Sequence, residues 1–499
     1  MNFVEQLERN AREYPEKAAV IFRGSRMSYR ELNDLVNSLS GSLLEMGLKK
    51  GDRVGLMLPR NPLLVVSFLA VAKTGAIVVP INYELAHKDI GACLATVAPL
   101  CLIVGTSFLE AAKRAMPADF RIPIIEIGDV VGERLLWSAM LAKGKGSNPS
   151  VDIKDDDIAY LNYTSGSTGN PKGAIATHSN INWNTVDAVD RLQLTSDDVH
   201  LCLFAPFAHP HEILARPLYL GGTMVLVDNI YPKSIAEAIS SHKVTCMMGL
   251  APMYENLLET VERYSYDLSS LRVPESGGMY TRPELIERFE QVVGVPIVPV
   301  WGSTETTGIA LANRPGQCEQ AGSVGKPCAS YEVMLVDEDG NELPAGEVGE
   351  MAFRGPAVVR GYYENTTSNQ ECFRDGWYYS GDLAKKDEEN NFYFMGRKNG
   401  MMKVAGLKVY PQEIEQVLME HPDIKEVAVI SAKHKLRGEV PKAIIVTTNG
   451  QGLGEKDIRV YCEDRLAHYK IPKIVELRKS LPKTSSGKTD KKALVEEHV

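Results

Sequence analysis

Along the first hundred residues the apolar positions switch between two periods. Leu32, Leu35, Val36, Leu39 and Leu43 recur at helical spacing and predict an amphipathic helix. Ser28 and Glu31 form a capping box ahead of it, since Ser28 can accept from the backbone at Glu31 while Glu31 reaches back. Gly47 supplies the stop. Residues 51–58 then read as a short buried strand. The longest apolar run, 63–72, is about half the length a membrane span requires and reads as a buried core helix. The same alternation returns at 201–260, which predicts an α/β fold of doubly wound subdomains.

The pattern changes after about residue 320. Segments 331–336, 349–353 and 391–395 read as short strands between polar turns, predicting a β-rich subdomain at about 320–398. Gly396-Arg-Lys-Asn-Gly400 is charged and glycine-flanked, which suits a linker. Beyond it lies a stretch of βαβ-like character, in which Pro411 opens a helix with Ile414, Val417 and Leu418 on one face. The expected organisation is a large N-terminal domain, 1–398, and a small α+β C-terminal domain, 399–499, hinged near Asn399.

Bulk properties narrow the function classes. A chain of 499 residues exceeds what one hydrophobic core supports, so at least two domains are expected. The formal charge of −9 argues against general nucleic-acid binding, which depends on Lys and Arg, but leaves nucleotide ligands open. Eight cysteines are scattered without a C-x-x-C pair, which predicts buried thiols in a reducing compartment rather than a zinc or redox motif. With no signal-peptide pattern at 1–9 and no targeting motif at 496–499, the cytoplasm is expected, without integral membrane association.

Candidate chemistry concentrates in a few segments. Tyr163-Thr-Ser-Gly-Ser-Thr-Gly-Asn-Pro-Lys-Gly173 holds four Ser and Thr hydroxyls, three glycines and a lysine directly after an apolar segment. Glycines let backbone N–H groups approach an anion, hydroxyls add donors and Lys172 adds a point charge, so this is a phosphate-binding loop by composition. It is not a Walker loop, because Lys172 follows Pro171. Pro482-Lys-Thr-Ser-Ser-Gly-Lys488 is a second basic glycine-containing loop, and read alone it is as well explained as a solvated tail. Trp301-Gly-Ser-Thr-Glu-Thr306 offers an aromatic plane for a base and, in Glu305, a carboxylate for Mg²⁺, with a capped turn as the plain alternative. Asp382 ends a strand-like run and could hold two vicinal ribose hydroxyls, though Asp in such turns is commonly structural.

Taken together, in this order and spacing, these segments resemble the adenylate-forming superfamily, in particular its acyl-CoA synthetases, from about residue 5 to residue 490. The resemblance implies a two-step reaction with ATP, Mg²⁺ and coenzyme A, in which a carboxylic acid becomes acyl-AMP and then acyl-CoA. It implies that Thr164, Ser165, Gly166, Ser167, Thr168, Gly169 and Lys172 cradle the β- and γ-phosphates. Gly277, Gly278 and Met279 would line the adenine and acyl pocket, with Trp301 against adenine. Thr304 would contact the α-phosphate, Glu305 would hold Mg²⁺, and Asp382 and Arg397 would hold the ribose. Lys488 would bridge the carboxylate and α-phosphate. Rotation of the C-terminal domain would then present Gly406 beside pantetheine. Asn399 stands where relatives carry Asp or Lys at the hinge, and Trp301 replaces the usual Tyr, enlarging the stacking face.

The same resemblance places His209 beside the substrate carboxylate and Gly249-Leu-Ala-Pro-Met253 at the far end of the acyl pocket. His211, two residues on, reads as a core histidine bonded to a carbonyl rather than as a metal ligand. With no basic residue evident as the partner of a second carboxylate, the expected acid is an apolar monocarboxylate: aromatic, alicyclic or short-to-medium chain. Loading of a carrier protein by a stand-alone adenylating enzyme is the alternative. The expected partners are small molecules, and an oligomer is compatible with the sequence.

Overall fold

In the computed structural model the described residues are 2–116, 122–127, 146–164, 172–316, 320–404, 407–434, 438–448, 453–484 and 488–497. The chain divides into two compact units that interleave in sequence. One comprises Met1–Val333 with Phe353–Tyr378, the other Met334–Ala352 with Tyr379–Val499. The fold is mixed α/β, with a large N-terminal part and a small C-terminal part. The expected boundary at 398/399 is of another kind, because it marks where the chain would rotate rather than how it packs.

The first unit is built on two sheets. Six strands order as Ile124–Ile127, Cys101–Gly105, Arg53–Met57, Ile77–Pro80, Ile158–Thr164 and Lys172–Thr177, parallel except for the last pair. A nine-stranded sheet carries Val298–Ser303, Val273–Ser276, Cys246–Gly249, Val199–Leu201, Thr223–Leu226 and Ala18–Phe22 as parallel neighbours, with antiparallel strands at both edges. Parallel strands need crossover connections, which the intervening helices supply.

The predicted local elements form where the pattern placed them. Helix Tyr29–Glu45 follows the Ser28 box with both reciprocal bonds made: Ser28 N donates to Glu31 at 2.7 Å and Glu31 N to Ser28 Oγ at 3.2 Å. Helix Pro62–Lys73 is buried along its whole length, as expected of an apolar run with no polar face. One hydrophobic core takes residues from this helix, from Tyr29–Glu45 and from both sheets.

The second unit has its own core. Strands Leu407–Val409, Met402–Val404, Gly438–Thr447 and Ile424–His434 pair in that order, and Ile474–Leu477 joins Gly438–Thr447. Helix Pro411–Met419 starts with its proline at the first turn and buries Ile414 and Leu418, with Val417 half-buried beside them. The strands read at 331–336, 349–353 and 391–395 are observed as Glu332–Val336, Val348–Arg354 and Phe392–Arg397.

Candidate active site

In open parallel sheets, ligands collect beyond the carboxyl ends of the strands. Four neighbouring parallel strands of the nine-stranded sheet lead directly into candidate residues. Val199–Leu201 precedes His209, Cys246–Gly249 precedes Leu250, Val273–Ser276 precedes Gly277 to Met279, and Val298–Ser303 precedes Thr304 and Glu305. The fold therefore delivers segments a hundred residues apart to one edge.

The turn after Val298–Ser303 is closed by its own hydroxyls. Ser303 N donates to Thr306 Oγ1 at 2.9 Å, Thr306 N to Ser303 Oγ at 3.2 Å, and Thr307 Oγ1 to the Ala357 carbonyl at 2.6 Å. The capped turn is therefore present, and capping fixes where Thr304 and Glu305 project. Glu305 is buried and accepts from the Tyr362 hydroxyl at 2.6 Å. Beside that carboxylate and in burial, the Tyr362 phenol is pushed far above its ordinary value and stays a donor. The Lys172 ammonium lies 5.4 Å from the centre of the Tyr362 ring. Lys172 opens a strand that runs antiparallel to the strand ending at Thr164, with these two residues paired. Gly173 beside it is required by space: a Cβ there would lie 2.8 Å from the Tyr163 ring. Lys172, Tyr362 and Glu305 form a continuous line, and Tyr362 is the member that sequence reasoning missed.

His209 takes a left-handed backbone, φ 52°, and its Nε2 lies 3.3 Å from Thr304 Oγ1, so these two candidates meet. His211 does not join them. Its Nδ1 shares a 2.6 Å hydrogen bond with the Tyr160 hydroxyl, and burial lowers its pKa to about 3. It is a neutral core histidine, as read, with the Tyr160 hydroxyl as a partner beside the Thr307 backbone. At Gly277 a Cβ would sit 2.6 Å from Met248 Cε and 3.0 Å from Val300 Cγ2, so these neighbours would have to shift, and Gly278 holds φ +74°. The Trp301 ring stacks one face on Phe353 at 4.6 Å and 3°, and the residue is 7% exposed.

In the second unit, Asp382 and Arg397 face each other across an antiparallel pair, with Arg397 Nε 2.5 Å from Asp382 Oδ1. Asp382 is buried and Arg397 is largely exposed. Lys488 is held by its backbone, Thr484 N donating to its carbonyl at 2.7 Å. The residue as a whole is exposed, yet desolvation around its ammonium and the charge of Arg397 lower its pKa from the ordinary 10.5, with Asp382 opposing. The three charged candidates of this unit therefore act on one another.

Sequence reasoning also missed a basic residue. Arg216 is buried on helix His211–Leu220 and pairs with two carboxylates, Glu275 at 2.8 Å and Glu212, one helical turn earlier, at 2.9 Å. Burial alone would lower the Arg216 pKa, but the two carboxylates more than offset it and the net shift is upward. The i,i+4 spacing of Glu212 and Arg216 in an otherwise apolar helix was a readable signal. The network touches the capped turn, since a Cβ on Gly308 would lie 2.4 Å from Glu212 Oε1. Thr164 pairs through its backbone, while Ser165, Gly166, Ser167, Thr168, Gly169 and Gly406 lie outside the described residues.

The fold brings these clusters together within each unit, and comparison with known proteins gives the class. A model of the AMP-binding enzymes matches residues 7–363, and a model of the AMP-binding enzyme C-terminal domain matches residues 413–488. The chain belongs to the AMP-binding enzyme family. It is 33% identical over 485 residues to a feruloyl-CoA synthase of Amycolatopsis sp, covering 96% of each chain. A long-chain-fatty-acid–CoA ligase of Bacillus subtilis is 32% identical, with 98% of this chain and 93% of that one covered. The crystal structure of an anthranilate CoA ligase in complex with anthranoyl-AMP superposes with a TM-score of 0.91 at 30% identity, covering 100% of this chain and 97% of that one. The chain is accordingly an AMP-forming acid–thiol ligase, and the use of ATP and CoA follows from its family. Among the described residues no helix is long and apolar enough to cross a membrane.

Proposed function

We propose that this enzyme activates an aromatic or fatty monocarboxylic acid as acyl-AMP and passes the acyl group to CoA. The observation that carries the reading is the line Lys172–Tyr362–Glu305, whose Glu305 adjoins Thr304, the residue His209 contacts. It provides a cation, a metal-binding carboxylate and hydroxyl and imidazole donors, as phosphoryl chemistry requires. Aromatic and fatty acids are named for the similar feruloyl-CoA synthase and long-chain-fatty-acid–CoA ligase, and an Arg216 already neutralised by Glu212 and Glu275 offers no spare cation for a second carboxylate.

In the first half-reaction a carboxylate oxygen attacks the α-phosphorus and pyrophosphate leaves. The segment from Thr164 to Lys172 holds the β- and γ-phosphates. Thr304 and His209 orient the carboxylate and α-phosphate, and Lys488 brings these two anions together and stabilises charge at phosphorus. Gly277, Gly278 and Met279 line the adenine and acyl site, with Trp301 behind it. Asp382 and Arg397 bind the ribose. Glu305 would hold Mg²⁺, since it is a hard oxygen ligand with one oxygen already oriented by Tyr362. Bound there, the ion would screen phosphate charge as a Lewis acid.

In the second half-reaction the CoA sulfur attacks the acyl carbonyl and AMP leaves. Rotation of the C-terminal domain, 399–499, about Asn399 exchanges Lys488 for the segment around Gly406. The free cysteines of the described residues, most of them buried, fit a cytoplasmic enzyme.

The test is pyrophosphate release with ATP and Mg²⁺ across a panel of aromatic, alicyclic and fatty acids, with and without CoA. Release that depends on the acid and turns over only with CoA is expected. Turnover only with a carrier protein would replace CoA as the acceptor.

A further inference from the structure

Strand Val348–Arg354 buries its residues from Gly349 to Phe353, and Glu350 is the charged one among them. A buried carboxylate persists where hydrogen bonds and a counter-charge meet it, and Glu350 has both. Its Oε1 accepts from the Gly381 N–H at 3.0 Å, and its Oε2 accepts from the Lys398 ammonium at 2.8 Å. Gly381 immediately precedes Asp382, and Lys398 immediately follows Arg397. One carboxylate therefore grips the chain beside both members of the Asp382–Arg397 pair, and all of these residues lie in the second unit.

The same strand holds the Asp382 side a second time. Ser380 Oγ donates to the Met351 carbonyl at 2.8 Å and accepts from Asp382 N at 3.1 Å. Gly381 between them takes φ +70°, a left-handed backbone that a glycine adopts without strain. A neutral acceptor could serve the Gly381 N–H, but only an anion serves the Lys398 ammonium as well. Two cations already act on Asp382, Arg397 by contact and Lys488 through its charge. Glu350 gives Lys398 a partner of its own.

We propose that Glu350 is a positioning residue for the ribose. By holding Gly381 and Lys398 it sets Asp382 and Arg397 in the register in which they bind the ribose hydroxyls. This rests on the reading of that pair given above and adds the residue that keeps it in place.

The test compares ATP with 2′-deoxy-ATP and 3′-deoxy-ATP in pyrophosphate release. A site that hydrogen-bonds a substrate hydroxyl through a charged group rejects the analogue lacking it, so kcat/KM should favour ATP over at least one analogue by about tenfold or more. In Glu350→Ala that ratio should fall towards one, chiefly through a higher KM for ATP, while the kinetics with the discriminated analogue change little. Glu350→Gln, which keeps the shape and an acceptor oxygen but not the charge, should lose part of the ratio, as should Lys398→Met. Turnover lost equally with ATP and its analogues in Glu350→Ala would mean that Glu350 serves only the packing of its sheet, and would overturn the inference. Should Glu350→Ala not fold, a ratio unchanged in both Glu350→Gln and Lys398→Met overturns it. Equal use of all three nucleotides by the unaltered enzyme, with acyl-CoA still formed, would remove Asp382 and Arg397 from the ribose and the inference with them, leaving the ligase reading standing. Absence of pyrophosphate release with any acid would overturn both.

Discussion

Lys488 shows how position sets the chemistry of a single residue. It sits near Arg397, and both desolvation and that neighbour lower its pKa, with Asp382 pulling the other way. If its cation drives adenylation, pyrophosphate release should fall on the alkaline side at a pH below the ordinary lysine value of 10.5. Lys488→Ala should slow that half-reaction by about 100-fold or more, as removal of a charge-stabilising donor does elsewhere, while CoA attack on supplied acyl-AMP changes little. Equal loss in both half-reactions would contradict its proposed role. Three buried histidines make a second residue-scale case. Burial lowers His178 to about 4 and His200 and His211 to about 3. The unfolded chain, with histidines near 6.5, binds more protons between these values, so the stability from each neutral ring is present above pH 6.5 and is lost as pH falls. Between pH 7 and pH 5 each should cost up to ~2 kcal/mol. Urea midpoints at the two pH values check this, and His211→Gln should reduce the difference.

At the scale of elements, the antiparallel pair of Ile158–Thr164 with Lys172–Thr177 and the capped turn at 303–307 are joined by a residue from neither. Backbone bonds set Tyr362 in place: Tyr363 N donates to the Gly173 carbonyl at 2.7 Å and Ile175 N to the Gly361 carbonyl at 3.0 Å. Its hydroxyl then orients Glu305. Outer-shell partners of metal ligands commonly matter by 10–100-fold in metal affinity, so Tyr362→Phe should raise the Mg²⁺ requirement for pyrophosphate release by about tenfold or more. An unchanged Mg²⁺ titration would remove Tyr362 from the site. Within elements the sequence was a dependable guide. The Ser28–Glu31 box, the apolar run at 63–72 and Pro411 each act through neighbours three or four residues away, and all three are seen as read. The partner of Trp301 was not readable in this way, because Phe353 lies fifty-two residues further on.

For the whole molecule, the open question of mechanism is movement about Asn399. Proline there would fix φ and limit rotation. Asn399→Pro should therefore retain a single turnover of acyl-AMP formation while steady-state acyl-CoA production falls. Parallel loss of both would place the hinge elsewhere. The two units interleave, with residues Met334–Ala352 and Tyr379 onward packing together. No local pattern announces such an arrangement, since the β-rich stretch reads as one continuous subdomain and its strands divide only once they have pairing partners.

By itself the sequence determined the alternating architecture, the caps and stops, and the identity of the charged and hydroxyl groups proposed to carry the chemistry. Each of these is written in spacings of a few residues, over which backbone geometry alone decides what meets. The tertiary structure decided which of those groups act together. It brought Tyr362 to Glu305, His209 to Thr304, and Lys488 into the field of Arg397 and Asp382. It also decided that Arg216 is no free cation. A buried guanidinium persists only where carboxylates neutralise it, and one of the two that do so, Glu275, is supplied by a strand fifty-nine residues away.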